Sequence, residues 1–255
     1  MIDTRLMTVN TDNVVKSVGR VLEVFELMRE QRRPMTGTEI GRFLKFPKSS
    51  TNAILKSLVT LGYLSLDRRD LTYFPSLRLT QLGDWIPAAV LGSGRALNLI
   101  EDLHMETRET VTLSMQNDLS MQFLRVCTGT FPIALQVSEG FMAPLFGTGV
   151  GSALLAGKPD VEIDSLIERA NAKIRRKRDR LDPEQVAEEV RTTREQGYAA
   201  AYNRLIPDSG AIAMALPQAQ SDITLVVAVA GLNERMRANE SRIVRLMRST
   251  ISRYF

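Results

Sequence analysis

In the first third of the chain, apolar residues recur with the three- to four-residue spacing that is typical of amphipathic helices. Apolar side chains recur every three or four positions in residues 14–28, VVKSVGRVLEVFELM, which predicts a first amphipathic helix. After the polar break RRP, the segment MTGTEIGRFL predicts a second, shorter helix. Thr36 and Glu39 in this segment have the T-x-x-E spacing of a capping box, which places the start of the second helix.

A third helix is predicted after the turn KFPKSS. Ser49 and Ser50 are candidate N-caps, apolar residues repeat in TNAILKSLVTLG, and Gly62 is placed to end the helix. The next segment, YLSLDRRDLTYFPS, alternates around a polar centre, which predicts two strands joined by a basic tip. Three helices followed by a hairpin predict a winged helix-turn-helix, whose second and third helices pack through their apolar faces.

The start and outer side of the third helix have short polar and basic side chains, which suit contacts with DNA. Asn52 has an amide that can pair with adenine, and Arg68 and Arg69 on the hairpin are placed to hold the backbone or the minor groove. A helical hairpin domain used for protein contacts is the alternative. The predicted DNA-binding residues are Thr36, Lys48, Ser49, Ser50, Thr51, Asn52, Lys56, Arg68 and Arg69.

Beyond residue 83 the pattern changes from helical to mixed. From Ala96 onward the apolar spacing predicts a linker helix, and Pro87, Gly92 and Gly94 favour two helical pieces over one. Strands are predicted in TVTLSMQN, SMQFLRV, PIALQVS, GAIAMALP and ITLVVAVAG, and helices near residues 149–156, 161–174, 183–196 and 234–254. Strands with helices laid on one face give an α+β domain. We predict domains at residues 1–82, 83–108 and 109–255.

The composition is that of an ordinary globular protein. The 255 residues are 44% hydrophobic and 24% charged. No apolar run approaches the roughly 20 residues that span a bilayer. The segment MIDTRLMTVN lacks the basic start and the apolar block of a signal peptide. We therefore expect a cytoplasmic protein without a membrane partner.

Positive charge is concentrated in the predicted DNA-binding module. Residues 1–82 hold 13 Lys and Arg against 8 Asp and Glu, whereas residues 83–255 hold 20 against 21. This asymmetry is typical of a first domain that binds a polyanion, followed by a near-neutral domain with a different function. A second basic cluster at residues 173–180, KIRRKRDR, is interpreted as a solvated helix end, with a nucleic-acid contact as the alternative.

Histidine and cysteine occur once each, as His104 and Cys127, which excludes an internal disulfide and a multi-histidine zinc site. The glycine-rich segment GTGVGSALLAGK fails both phosphate-loop templates, because Ser152 stands where each template needs glycine. We therefore predict no catalytic residue, no metal and no cofactor. A carboxylate pair such as Glu139 with Asp208 stays open as the basis of an enzyme.

Three segments occur in order in the first module: SVGRVLEVFELM, RRPMTGTEIGRFLKFPKSS and LKSLVTLGYLSLDRRDLTYFPSLRLTQLG. With them, residues 14–82 resemble the DNA-binding domain of the IclR family of bacterial transcription regulators. One departure concerns recognition, because Ala53 follows Asn52 where the family often has an arginine after His or Tyr. The resemblance therefore implies an operator sequence that differs from the usual one.

The later segments APLFGTGVGSALLA, REQGY, GAIAMALP and VVAVAG resemble, in order, the effector domain of the same family. The resemblance implies a GAF-like antiparallel sheet with flanking helices and a small-molecule pocket on one face. The effector-binding residues implied by the match are Phe146, Gly147, Thr148, Asn203, Ala213, Ala228 and Ala230. The loop from Gly197 to Gly210 is two residues longer than in the family pattern. The alignment of Asn203 with the family's binding residue depends on where these two residues are inserted.

Departures from the family pattern predict the chemistry of the effector. Members that bind small carboxylates have serines in the last segment, whereas this chain has Ala228 and Ala230 there, and Phe146 replaces a histidine. A buried carboxylate without donors would be strongly penalised, so we predict an aromatic or otherwise apolar effector. The alternative is that these side chains only fill the core.

The resulting hypothesis is a transcriptional regulator whose operator affinity depends on a small-molecule effector. The resemblance implies that it represses a nearby catabolic operon. A homodimer or a dimer of dimers is expected to bind a pseudo-palindromic stretch of double-stranded DNA through paired third helices. Two alternatives stay open at this point: a ligand-sensing module that contacts only proteins, and a small-molecule enzyme.

Overall fold

A computed structural model of the chain describes residues 15–87, 94–217 and 223–255, and they form two compact units. The first unit contains the described residues up to Pro87, and the second contains those from Gly94 onward. Within the described ranges, no helix has the length and apolar character needed to cross a membrane.

The first unit has the predicted order of three helices and a hairpin. Its core lies between the helices and contains the fully buried side chains of Val24, Ile40 and Leu55. The strands form one antiparallel sheet in the order β1-β3-β2. The elements are α1 (Lys16–Gln31), β1 (Met35–Thr36), α2 (Gly37–Leu44), α3 (Lys48–Thr60), β2 (Leu64–Asp67), β3 (Thr72–Pro75) and α4 (Leu77–Gln81).

Of the helix N-caps predicted from the sequence, one is present in the structure and the others are not. The capping box is confirmed, because the hydroxyl oxygen of Thr36 accepts from the backbone N–H of Glu39 and the Glu39 carboxylate accepts from the N–H of Thr36. The hydrogen bonds that the Glu39 carboxylate accepts from the backbone N–H and from the hydroxyl of Thr36 lower the pKa of Glu39. The expected N-caps Ser49 and Ser50 are wrong, because α3 already begins at Lys48, with no side-chain cap.

The second unit is built on a six-stranded antiparallel sheet with the order β6-β5-β4-β9-β8-β7. Its strands are β4 (Thr110–Asn117), β5 (Ser120–Cys127), β6 (Met142–Pro144), β7 (Ala199–Tyr202), β8 (Ser209–Ala215) and β9 (Leu225–Leu232). Its helices are α5 (Arg95–Thr107), α6 (Gly149–Ala156), α7 (Asp160–Lys173), α8 (Pro183–Gln196) and α9 (Asn233–Tyr254). The α+β class and the predicted helix positions are confirmed to within about a residue.

Helices cover both faces of this sheet, so the expectation of helices on one face is wrong. In β9, Val226 and Ala228 pack into a core with α6, α7 and α8, whereas Val227 and Val229 pack into a core with α5 and α9. The continuous apolar run LVVAVAGL is typical of a strand that is buried on both sides. The physical signal for two covered faces was therefore present in the sequence.

One predicted strand, PIALQVS at residues 132–138, is not a strand in the structure. The edge of β5 at Phe123 is already occupied, because its N–H donates to the carbonyl of Phe141 and its carbonyl accepts from the N–H of Gly140. β6 continues this pairing with β5. The segment 132–138 lacks a free ladder partner and is held instead by the Thr110 hydroxyl, which donates to the carbonyl of Leu135 at 2.7 Å.

The predicted linker helix corresponds to α5, and it packs within the second unit. Leu99 and Leu103 of α5 are fully buried in the core shared with α9. The hydroxyl of Tyr254 donates to the carboxylate of Asp102 at 2.7 Å and ties the end of α9 to α5. The expected break near Gly92 lies outside the described residues, and the domain boundaries at 82 and 108 stay predictions.

Candidate functional site

The exposed side of α3 is the strongest candidate for a nucleic-acid contact in the first unit. Lys48, Asn52 and Lys56 follow each other at four-residue spacing, which places them on one face of the helix, and all three are exposed. Ser49 is exposed beside them. The opposite face of α3 is buried through Leu55 and Leu58, so the packing of the core fixes which side faces outward.

Three predicted DNA-binding hydroxyls are already engaged within the protein. Thr51 is 1% exposed and its hydroxyl donates to the carbonyl of Pro47, so the structure gives Thr51 a packing role in place of the expected contact. The Thr36 hydroxyl is taken up by the capping box of α2. Ser50 is partly buried and its hydroxyl oxygen accepts from the guanidinium of Arg20 at 2.8 Å.

Arg20 was missed by the sequence reasoning. Its guanidinium lies 5.0 Å from the centre of the Phe46 ring and bonds to Ser50, so Arg20 links α1 to the first turn of α3. Such an interaction fixes the direction in which the start of α3 points. The only signal in the sequence was a basic residue near the apolar face of α1, which is too common to be specific.

The hairpin between β2 and β3 presents its basic tip to solvent, as predicted. Arg68 and Arg69 are exposed, and the turn is shaped by the Asp67 carboxylate, which accepts from the backbone N–H of Arg69 at 2.8 Å. Leu71 closes the turn with a φ of 52°. Both guanidinium groups are therefore available to a phosphate backbone.

The second unit contains a small, mostly apolar cavity of about 50 Å³ against one face of the sheet. Thr148, Ala228 and Ala230, which were predicted as effector-binding residues, line it. The other lining residues are Thr112, Phe123, Leu135, Val137, Gly149, Val150, Ala201, Arg204, Leu205, Ile206, Ser209, Gly210 and Ala211. Since a cavity needs roughly 10–15 Å³ to hold one water, this one admits only a small group as it stands.

The other four predicted effector residues lie elsewhere. Phe146 is partly buried against the core, Ala213 is completely buried within it, and neither is among the lining residues. Asn203 is exposed and shapes a turn, because its side-chain oxygen accepts from the N–H of Asp208. Gly147 lines a larger, more polar cavity of about 340 Å³, which adjoins the apolar one and shares Thr148, Gly149, Ala201 and Arg204 with it.

This polar cavity includes two tyrosines that share one carboxylate. The hydroxyls of Tyr198 and Tyr202 both donate to Glu240, at 2.8 and 2.5 Å. The hydrogen bond to Glu240 raises the pKa of Tyr198, and burial together with the same carboxylate raises the pKa of Tyr202. The cluster ties β7 to α9 at the edge of the sheet.

The register of the strands explains why the apolar cavity forms where it does. Ala228 stands opposite Thr112, and Ala230 stands opposite Ala211, so small side chains meet on neighbouring strands and leave space. The loop residues Arg204, Leu205 and Ile206 close the space. Among the described lining residues Arg204 is the charged one, and its guanidinium pairs with Glu189 of α8 at 2.9 Å.

The glycine-rich segment at the start of α6 is shaped by close packing. The Thr148 hydroxyl caps α6 by accepting from the N–H of Gly151, and it donates to the carbonyl of Pro144. A Cβ atom at Gly151 would overlap the backbone carbonyl of Leu145. Gly151 therefore lets the chain fold back on itself, which accounts for this glycine without a phosphate ligand.

The residues considered for catalysis have structural partners or lie at the surface. The His104 ring shares a hydrogen bond with the carbonyl of Glu109, and burial raises the pKa of the Cys127 thiol. Glu139 pairs with Arg125 at 3.1 Å, and Asp208 is exposed. Among the described residues, no group of three or more His, Cys, Asp or Glu side chains could hold a metal ion.

Two family models match the chain and together cover most of it. The model described as IclR helix-turn-helix domain matches residues 17–68, and the model described as Bacterial transcriptional regulator IclR C-terminal matches residues 94–253. The two matches coincide with the unit that presents α3 and the unit that contains the apolar cavity.

Characterised regulators and crystal structures are also similar to this chain. The chain is 25% identical to the Pca regulon regulatory protein of Pseudomonas putida over 84% of this chain and 73% of that protein. It is 23% identical to the HTH-type transcriptional regulator XynR of Escherichia coli over 73% and 74% of the two chains. The crystal structure of the Thermotoga maritima IclR matches with a TM-score of 0.69 and 17% identity, over 93% of this chain and 97% of that one.

Proposed function

The chain belongs to the IclR family of bacterial transcriptional regulators, and we propose that it represses transcription from an operator that α3 recognises. The exposed face of Lys48, Asn52 and Lys56 on a helix that is held from behind supports this proposal most directly. The protein is a regulator with a DNA-binding helix-turn-helix and an effector domain, and is not an enzyme.

Recognition is proposed to follow from the geometry of α3 and the wing. α3 enters the major groove, where the Asn52 amide bonds to a base and Lys48 and Lys56 bond to phosphates on either side. Arg68 and Arg69 on the β2–β3 hairpin hold the adjacent backbone. The contact between Arg20 and Ser50 sets the angle of α3, so Arg20 acts as a positioning residue.

A homodimer, or a dimer of dimers, is proposed to bind a pseudo-palindromic operator. The first unit exposes an apolar groove of about 460 Å³ between α1, α3 and α4, which includes Val21, Phe25 and Leu61. Exposed apolar surface of this kind usually marks an interaction site. A second copy of the chain that covers it would bring two α3 helices to half-sites on one duplex.

The effector is proposed to be an aromatic or otherwise apolar molecule that enters the cavity beside Ala228 and Ala230. Because the cavity has only about 50 Å³, we expect an effector of several atoms to displace the loop that contains Arg204, Leu205 and Ile206. Movement of this loop changes the ion pair between Arg204 and Glu189 and so reaches α8. A coupling of about 1–3 kcal/mol would change operator affinity roughly 5- to 150-fold.

The DNA-binding proposal is tested by titrating the full chain against duplex DNA from its own upstream region. Fluorescence anisotropy over a salt series is expected to show tight binding that weakens steeply with salt, because Lys and Arg release counterions from the phosphates. A scrambled duplex of the same length and composition should bind at least about a thousandfold more weakly. Weak binding that is equal for both duplexes would favour a sensor that contacts only proteins.

The effector proposal predicts that filling the cavity uncouples sensing from DNA binding. In Ala230→Leu, the larger side chain takes the space of the effector, so operator affinity should remain within about threefold of wild type while the response to effector is lost. The measurement is anisotropy with the operator duplex and a panel of small aromatic compounds, aliphatic compounds and dicarboxylates. A wild-type response to aromatic or other apolar members supports the proposal.

The matched control is Ala187→Leu, which adds the same atoms on an exposed side of α8 and should respond like wild type. If Ala230→Leu still responds fully to the effector, the ligand does not occupy this cavity. If the molecule that acts on wild type is a small di-acid held by side-chain donors, the apolar character of the effector is refuted.

A further inference from the structure

The connection between α7 and α8 contains a dense group of positive charges that the proposed function does not use. Residues 173–180, the basic loop, hold six Lys and Arg and one Asp. The structure shows that they do not simply continue a helix end, because α7 ends at Lys173 and only a short 3₁₀ turn follows, at Lys177–Asp179. All of the charged side chains in the loop are exposed.

The two ends of the basic loop are held together by hydrogen bonds between Asn171 and Leu181. The side-chain amide of Asn171 donates to the carbonyl of Leu181 at 3.1 Å, and its oxygen accepts from the N–H of Leu181 at 2.8 Å. Leu181 itself packs against the core beneath α7 and α8. The cations are therefore presented from a fixed position on the surface, and a partner that binds them loses less entropy in ordering the loop than it would with a free tail.

Few of these charges are neutralised within the protein. Lys173 pairs with Asp118 at 3.1 Å, and Arg178 lies 3.6 Å from Asp179. In the part of the chain that the structure describes, no ion pair is formed by the other four, which are Arg175, Arg176, Lys177 and Arg180. Several unpaired cations within one Debye length, about 8 Å at physiological salt, repel one another.

The rest of this unit has the opposite sign. Residues 83–255 hold 20 Lys and Arg against 21 Asp and Glu, and six of the 20 but only one of the 21 fall within the basic loop. A concentrated positive site on an otherwise acidic unit attracts a polyanion locally while the remainder of the surface repels it. This charge distribution restricts the contact with such a partner to the loop.

We propose that the basic loop is a second nucleic-acid contact, which binds the phosphodiester backbone of duplex DNA without reading its sequence. Four of its six cations are arginines, whose planar guanidinium groups bind phosphates in bidentate geometry. The loop contains no aromatic residue on which an unpaired base could stack, which favours a duplex over a single strand. This contact goes beyond recognition by α3 and does not depend on it.

The test compares the wild-type chain with a loop variant, Arg175→Gln, Arg176→Gln, Lys177→Gln and Arg180→Gln. Binding to the upstream duplex and to a random duplex, each about 60 base pairs long, is measured by anisotropy over a salt series. Because each phosphate contact adds about 0.9 to the slope of log K against log salt, the slope is expected to fall by about three on both duplexes. Affinity at 0.1 M salt should fall at least tenfold on both.

The matched control removes four exposed arginines elsewhere in the same unit, through Arg125→Gln, Arg191→Gln, Arg242→Gln and Arg245→Gln. It changes the net charge equally and should leave the salt slope within about one unit of wild type. Equal slopes for the loop variant and wild type, or an equal loss in both variants, would overturn the proposal. So would a loop variant that alters only self-association in sedimentation, which would assign the loop to an acidic protein surface.

The outcome separates this proposal from the proposed function. If wild type does not prefer the upstream duplex but the loop variant still loses slope on both duplexes, recognition by α3 fails and the loop contact stands. If wild type prefers the upstream duplex and the loop variant matches it in slope, recognition stands and the loop contact fails.

Discussion

Replacing Lys48, Asn52 and Lys56 together by alanine is expected to lower operator affinity on the order of a thousandfold. A bidentate contact between an amide and a base contributes about 1–3 kcal/mol of discrimination, and each lost phosphate contact weakens binding to any sequence. All three side chains are exposed, so their removal does not disturb the core formed by Val24, Ile40 and Leu55. Anisotropy with the operator duplex and a scrambled duplex measures both losses.

The control for this variant is Lys16→Ala with Arg29→Ala, which removes two positive charges from the exposed side of α1. Its operator affinity should stay within about threefold of wild type, and its ratio of operator to scrambled affinity should not change. A triple variant that keeps this ratio would show that α3 does not read the operator, even if total affinity fell. Far-ultraviolet circular dichroism is used to check that both variants are folded.

The largest expected effect on stability is that of Gly151→Ala. The added methyl group would overlap the carbonyl of Leu145, which is backbone and cannot rotate away, and Leu145 itself is 1% exposed. Relief requires α6 to move off the sheet, where Val150 and Leu154 are buried. The free energy of unfolding of the second unit should fall by about 3 kcal/mol or more.

Gly157→Ala is the matched control, because a methyl group there meets only the carbonyl of Leu154 at an ordinary 3.5 Å. Its φ of −85° is also open to alanine. Urea unfolding followed by circular dichroism should show the second-unit transition at lower urea for Gly151→Ala and close to wild type for Gly157→Ala. Equal midpoints would mean that the close approach to Leu145 is not required by the fold.

Local signals in the sequence were sufficient for much of the fold. The capping box of Thr36 and Glu39 and the positive φ of Gly62 depend on neighbours within a few residues, and the structure shows both. The N-cap at Ser49 or Ser50 was wrong because α3 already begins at Lys48. The Ser50 hydroxyl instead accepts from Arg20, which lies thirty residues away in the sequence. Signals of this longer range are not visible in a short window.

The candidate sites show the same limit. The exposed face of α3 follows from helical periodicity and could be predicted, but the burial of Thr51 depends on how α3 packs against α2. The cavity depends on the register between β4, β9 and β8, which places Ala228 opposite Thr112. It also depends on Arg204, whose loop has no counterpart of equal length in the family pattern. Neither the burial of Thr51 nor the cavity could be predicted from the sequence, because both depend on contacts between residues in different elements.

The sheet order of the second unit has a consequence for the time course of folding. β4 and β9 are paired at its centre, with Thr110 opposite Ala230, so the middle of the sheet joins segments more than a hundred residues apart. Contacts of such long range form slowly and require most of the unit to have been synthesised. The first unit closes its core within residues 15–87. During translation the helix-turn-helix should therefore be folded before the sensing unit exists, and a nascent chain at that stage would have a DNA-binding surface without effector control.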